Sequence, residues 1–159
     1  MFAGITLTPL KQIYHPQGDI YHALKSTDTD FTQFGEAYFS TIKFNKIKGW
    51  KKHTQMVMNL VVPVGSIKFV IYDDRDDSKS NGQFYEAIIS ADNYSRLTVP
   101  PGVWMGFQGK GTSLNLLLNI ANIAHNPLES RSKPLDYFNY NDLKKSAYVR
   151  IVDIAGLHQ

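Results

Sequence analysis

The chain has 159 residues, 43% of them hydrophobic and 19% charged, with a formal net charge of +3. That length suits one domain with a real core, and the composition sets disorder aside. Scattered lysines, with pairs no larger than Lys51-Lys52 and Lys144-Lys145, exclude a nucleic-acid footprint, and the lack of cysteine excludes disulfides and thiolate metal sites.

The first residues, M-F-A-G-I-T-L-T-P-L, lack a basic segment followed by a continuous apolar one, so a cytoplasmic protein is expected. No run reaches the roughly 18 apolar residues of a membrane span, and no membrane partner is expected. Residues 1–32 read as an N-terminal arm, 33–129 as a barrel core and 130–159 as a C-terminal segment of one domain.

Gly35 to Ile42 (G-E-A-Y-F-S-T-I) opens the core with aromatic and β-branched residues. Gly49-Trp50-Lys51-Lys52-His53-Thr54-Gln55 follows, and a strand is expected over 53–62. Met56 to Val64 and Ser66 to Tyr72 flank Val64-Gly65 as strand–turn–strand. Residues 73–82 (D-D-R-D-D-S-K-S-N-G) form a polar loop. Gln83 to Ser90 is a strand, residues 91–93 turn, and Tyr94 to Val99 continues. Pro100 and Pro101 fix φ and remove two donors, Gly102 permits a change of direction, and Val103 to Phe107 resumes the strand. A turn at 109–111 precedes Leu114 to Ile123, and Asn141 to Ala147 is the plausible helix. Strands at roughly ten-residue spacing predict an all-β fold, a sandwich or barrel.

Alternation over 53–62 places His53, Gln55 and Asn59 on one face and Met56, Met58 and Leu60 on the other. Successive same-face positions lie about 6–7 Å apart, which suits a pocket that binds a polyhydroxylated ligand with one titratable base; a solvated strand face is the alternative. Asn115 and Asn119 share a face of the late leucine-rich strand, where asparagine needs a partner from a ligand, a water or a loop. His53 with Gln55 and Asn59 has the spacing of a metal motif, but one imidazole with neutral amides is a poor divalent site. No metal is expected.

Three segments carry a resemblance. Leu60 to Arg75 reads as strand–glycine–strand ending in D-x-R. Ile89 to Leu97 is similar to an L-S-A-x-N-x-x-x-L run, and Pro100-Pro101-Gly102-Val103-Trp104-Met105-Gly106-Phe107 resembles P-P-G-F-A-H-G-F. In this order they resemble the dTDP-4-dehydrorhamnose 3,5-epimerase family, from about Gly35 to Glu129. The resemblance implies a cupin-type jelly-roll β-barrel, a nucleotide-linked 4-keto-sugar substrate and a homodimer, for which residues 1–32 would serve as an arm.

Departures fall at the site. The family's R-G-L-H-x-Q histidine corresponds to Lys51, two residues before His53, its P-P-G histidine to Met105, and no tyrosine occurs in 122–127 (N-I-A-H-N-P). A second resemblance, to sugar-nucleotide 3,4-ketoisomerases, rests on His53 and on Pro100-Pro101-Gly102-Val103-Trp104. Both families imply enolisation next to a C4 carbonyl, which needs a base, an oxyanion donor and an acid, and no cofactor. On these resemblances His53 is the candidate base, with Lys51, Lys52 or Asn59 near the enolate oxygen and Tyr72 or His125 returning the proton. Arg75 would hold the diphosphate, and Trp104 would offer a flat surface to sugar or base; Gln55 and Asn119 complete the binding set. The expected function is a 4-keto-sugar epimerase of surface-polysaccharide or deoxysugar biosynthesis. A ketoisomerase and a non-catalytic carbohydrate-binding cupin are the alternatives.

Overall fold

In a computed structural model of the chain, residues 2–140 and the backbone of Tyr148–Arg150 are described. The expected helix at 141–147 lies outside the described residues. The described residues form β1 (Thr6–Pro9), β2 (Gln12–Ile13), β3 (Ile20–Tyr21), β4 (Glu36–Thr41), β5 (Ile47–His53), β6 (Met58–Val64), β7 (Ser66–Tyr72), β8 (Phe84–Ser90), β9 (Ser95–Val99), β10 (Trp104–Gly109), β11 (Leu116–Ala121), β12 (Ser130–Ser132) and β13 (Tyr148–Arg150). A five-stranded sheet, β1-β9-β6-β11-β4, faces a six-stranded one, β12-β5-β10-β7-β8-β13, and β2 and β3 form a separate hairpin. This is the cupin jelly roll expected from the sequence.

Alternation explains the core. In β7, Ile67, Phe69 and Ile71 are fully buried between the sheets, while Lys68, Val70 and Tyr72 point outward. Leu97, Val99, Leu60 and Val62 supply the facing wall. The outer faces are covered too, which is why β9 is buried at every position. On the five-stranded side, Arg96 is 1% exposed beneath the N-terminal arm. Its guanidinium donates to Asp28 at 3.0 Å, Asp30 at 2.7 Å and the Ala23 carbonyl at 2.8 Å. On the six-stranded side, Trp50, Phe84 and Trp104 form a second cluster packed under Phe138 and Tyr140 of the C-terminal segment.

The arm is not separate from the barrel, because β1 pairs with β9 of the same chain from Thr6↔Thr98 to Pro9↔Ser95. The expected continuous strand over 53–62 is broken in two. β5 ends at His53 in the six-stranded sheet, Thr54 to Val57 cross the barrel end, and β6 begins at Met58 in the other sheet.

Candidate active site

A cavity of about 210 Å³ opens between the two sheets. β5 and β10 bring Lys51, His53 and Met105 to one wall, and β4, β6 and β11 bring Tyr38, Leu60 and Asn119 to the other. Cross-strand register fixes these sides: Lys51 lies opposite Met105 and Lys52 opposite Trp104, so each pair shares a face. Gly49 lets β5 and β10 close together, since a Cβ there would sit 2.7 Å from the Gly106 Cα.

His53 is the centre of the cavity wall. It is 5% exposed, and its Nδ1 is hydrogen-bonded to Oε1 of Glu129, itself 4% exposed. Oε2 of Glu129 accepts backbone N–H bonds from Thr54 and Gln55, each at 3.1 Å, and from Met56 at 3.3 Å. Burial pushes this carboxyl up, but the bonds from His53 and from the Gln55 and Met56 amides outweigh it and hold it below its ordinary range. A carboxylate that accepts a hydrogen bond from Nδ1–H keeps that proton on Nδ1 and leaves Nε2 as the lone-pair nitrogen of neutral His53, which is the form of a proton acceptor.

The local chain explains the placement. Asn126 caps a 3₁₀ turn at Pro127–Glu129, accepting from Leu128 N–H at 3.0 Å. β12 then pairs with β5 from Ser130↔His53 to Ser132↔Lys51, which sets Glu129 beside His53. Gly102, with φ +88°, donates to the His53 carbonyl at 2.7 Å, so the Pro-Pro-Gly corner anchors the end of β5.

The Lys51 side chain lines the cavity, exposed, and its ammonium has no hydrogen bond or ion pair among the described residues. Asn119 lines the opposite wall and donates to the Tyr38 hydroxyl at 3.1 Å. Neither Glu129 nor Tyr38 was singled out by sequence reasoning. Asn126-Pro127 ahead of Glu129 is a turn signal, but nothing local marks that glutamate as a histidine's partner.

The other candidates lie elsewhere. Gln55 is exposed in the β5–β6 crossing and engages Glu129 through its backbone. Asn59 turns away from the cavity, accepting from Thr98 at 2.9 Å on the outer face under the arm. Lys52 and Trp104 are on the outer face of the other sheet, where both bond to Asp74 and Lys52 stacks on the indole. Tyr72 packs there against Phe84 and Phe138, its phenol held up by burial and then by Asp74 and Asp73. Arg75 is consumed by Asp73, with two contacts at 2.8 Å, and by the Ala3 carbonyl at 2.7 Å. His125 is exposed on the loop after β11 and is not part of the cavity wall. Strand parity explains Asn59, since the break between His53 and Met58 reverses which positions face the cavity.

Among the described residues no three His, Asp or Glu side chains gather to hold a metal ion, and no helix is long and apolar enough to cross a membrane.

No family model matches the chain. A dTDP sugar isomerase from Desulfovibrio desulfuricans G20 superposes with a TM-score of 0.85 at 34% identity, covering 98% of this chain and 96% of that one. A probable low-salt glycan biosynthesis epimerase of Haloferax volcanii is 31% identical over 84 residues, spanning 52% of this chain and 54% of that protein. A spore coat polysaccharide biosynthesis protein of Bacillus subtilis is 24% identical over 147 residues, or 89% of this chain and 97% of that protein. The dTDP-4-dehydrorhamnose 3,5-epimerase of Bacillus anthracis str. Ames, at 20% identity with a TM-score of 0.76 and coverage of 85% and 81%, shares the fold.

Proposed function

The chain belongs to the dTDP-sugar isomerase family, among the dTDP-4-dehydrorhamnose 3,5-epimerase-like proteins, and from that premise we propose that it epimerises a nucleotide-linked 4-keto sugar. The observation that carries this reading is the buried His53–Glu129 pair in the wall of the cavity.

In this reaction His53 Nε2 takes the proton from the carbon next to the keto group. The C–H electrons form the C=C bond of an enolate, and the carbonyl electrons move to oxygen. Glu129 keeps the imidazole in the accepting tautomer and stabilises the imidazolium that forms, as a carboxylate does behind any histidine base. The Lys51 ammonium faces the developing oxyanion, and the dry walls of Met58, Leu60 and Met105 strengthen that attraction. A proton from solvent at the cavity mouth returns to that carbon on the opposite face as the enolate electrons re-form the C–H bond and the carbonyl, giving the epimer, and His53 releases its proton to solvent. At about 210 Å³ the cavity is smaller than the roughly 300–1,000 Å³ of sites that enclose a whole drug-sized ligand. The sugar therefore enters while the nucleotide lies toward the mouth.

A 3,4-ketoisomerase is the second reading. It is supported by the relative at 34% identity named as an isomerase and by a base whose proton can be passed between neighbouring atoms on one face. Homodimer formation completes the proposal. Among the described residues β4 is one of the two edges of its sheet and exposes Phe39 at 63%, with Phe34 just before it at 65%, an edge that a second copy would cover.

The test is proton NMR in D₂O with dTDP-linked 4-keto-6-deoxy sugars, alongside His53→Ala. Loss of the C3 or C5 proton signal with wild type and not with His53→Ala is the expected result. Loss at both carbons supports 3,5-epimerisation, a relocated carbonyl supports the isomerase, and no exchange despite binding overturns both.

A further inference from the structure

The wall facing His53 contains an acceptor that none of the described residues satisfies. Asn119 sits on the inner face of β11, in a row that runs from Tyr38 of β4 through Asn119 to Leu60 of β6. It is 1% exposed, its Nδ2 donates to the Tyr38 hydroxyl at 3.1 Å, and its Oδ1 is buried with no hydrogen-bond partner among the described residues. Asn115, four residues earlier, shows a structural asparagine with both ends used. Its Oδ1 accepts from the Ser66 and Gly111 amides, each at 3.0 Å, and its Nδ2 donates to the Ile42 and Gly111 carbonyls at 3.1 and 2.8 Å. Asparagine is a poor strand former, and a buried carbonyl left unpaired is costly. At Asn119 that cost is met in the wall of a cavity, where a ligand brings the missing donor. Lys51 and Tyr38 already bring donors to the same space, so a keto or phosphate oxygen is served by them. The Asn119 carbonyl needs an O–H.

We infer that Asn119 is the specificity-determining residue of this site. Its Oδ1 accepts a hydrogen bond from a secondary hydroxyl of the sugar ring, so the protein selects 4-keto sugars that carry that hydroxyl over their deoxy counterparts. The inference rests on the nucleotide-sugar reading above. Tyr38 is a positioning residue: by accepting from Nδ2 it fixes which end of the amide stays open. A site built to pair a hydroxyl rejects the analogue lacking it far more strongly than an apolar pocket does.

The experiment uses the full chain and dTDP-4-keto-6-deoxyglucose with its 2-deoxy and 3-deoxy counterparts, followed by deuterium exchange next to the keto group. Wild type is expected to favour the hydroxylated sugar over one deoxy form by about 100-fold or more in kcat/KM. Asn119→Ala brings that ratio within about ten-fold by losing rate on the hydroxylated sugar alone, while Asn119→Asp, which keeps an acceptor, retains the preference. An unchanged ratio in Asn119→Ala, or an equal loss on all three sugars, overturns the assignment. If Asn119→Ala does not fold, Tyr38→Phe decides: a lowered ratio supports the inference and an unchanged one overturns it. If wild type exchanges none of the sugars, the epimerase reading fails, and calorimetric binding of dTDP-glucose and its deoxy forms becomes the readout. A preference that Asn119→Ala abolishes then supports the inference, and equal affinity or no binding overturns it.

Discussion

Nδ1 of His53 and Oε1 of Glu129 share one hydrogen bond across 76 positions of sequence, both side chains almost fully buried. The bond joins the last residue of β5 to the end of a 3₁₀ turn. Replacing Glu129 by Gln leaves the shape but puts an amide where a carboxylate accepted the Nδ1 proton. A Gln that presents its N–H₂ turns the imidazole to the tautomer that cannot take a proton from the cavity. Glu129→Gln is expected to lower kcat for solvent exchange by about 10²–10⁴-fold with KM little changed. Rapid-quench exchange assays check this, and an unchanged kcat removes Glu129 from the mechanism.

Acid should weaken the fold through the same carboxylate. The Glu129 carboxyl is held below its ordinary 4.5 and Asp73 well below 3.8, in each case against burial, which pushes up. The opposing bonds come from His53 and backbone amides for Glu129, and from Arg75, Ser78 and Ser80 for Asp73. A depressed carboxyl binds its proton more weakly in the folded chain than in the unfolded one. Its stabilisation is therefore complete above the unfolded value and fades as pH falls through the folded one. Urea midpoints should hold level from pH 7 to about 5 and drop below about 4.5, with a shallower drop in Glu129→Gln.

Neighbouring lysines should behave oppositely. Lys51→Met removes an unpaired ammonium from the cavity and is expected to cut exchange at least tenfold, about 1.4 kcal/mol of transition-state stabilisation, with no change in melting temperature. Lys52→Met breaks the outer-face contact with Asp74 and the Trp104 ring and should leave the exchange rate unchanged. Equal effects on activity would contradict the register that separates them.

Arg96→Met tests the arm. Its guanidinium bonds hold Ala23, Asp28 and Asp30 to β9, and their loss should cost about 2–3 kcal/mol. Amide exchange should rise over residues 22–31 before it rises in β7 or β8.

The barrel was legible because its strands alternate and its turns carry glycine and proline, as at Val64-Gly65 and at Pro100 to Gly102. Of the residues that the sequence offers for the site, His53, Lys51 and Asn119 lie around one cavity. What failed did so at strand ends. Reading 53–62 as one strand put Asn59 beside His53, whereas the chain crosses between sheets at Thr54 to Val57 and reverses the parity. Glu129 was hidden for a different reason: its partner is brought to it by the pairing of β12 with β5, a contact with no local signature. Arg75, whose charge suggests a phosphate ligand, is paired with Asp73 two residues away, a local contact that the sequence pattern does not weigh.

β12 also decides where this gene can tolerate insertions and deletions. Residues 123–126 run exposed or half-exposed between β11 and the 3₁₀ turn, so extra length there is absorbed in solvent. Between Glu129 and Ser132 the ladder to β5 counts residue for residue. One residue lost within that stretch would slide the carboxylate along the strand and leave every cavity-lining side chain in place, giving a folded barrel with an unpaired histidine.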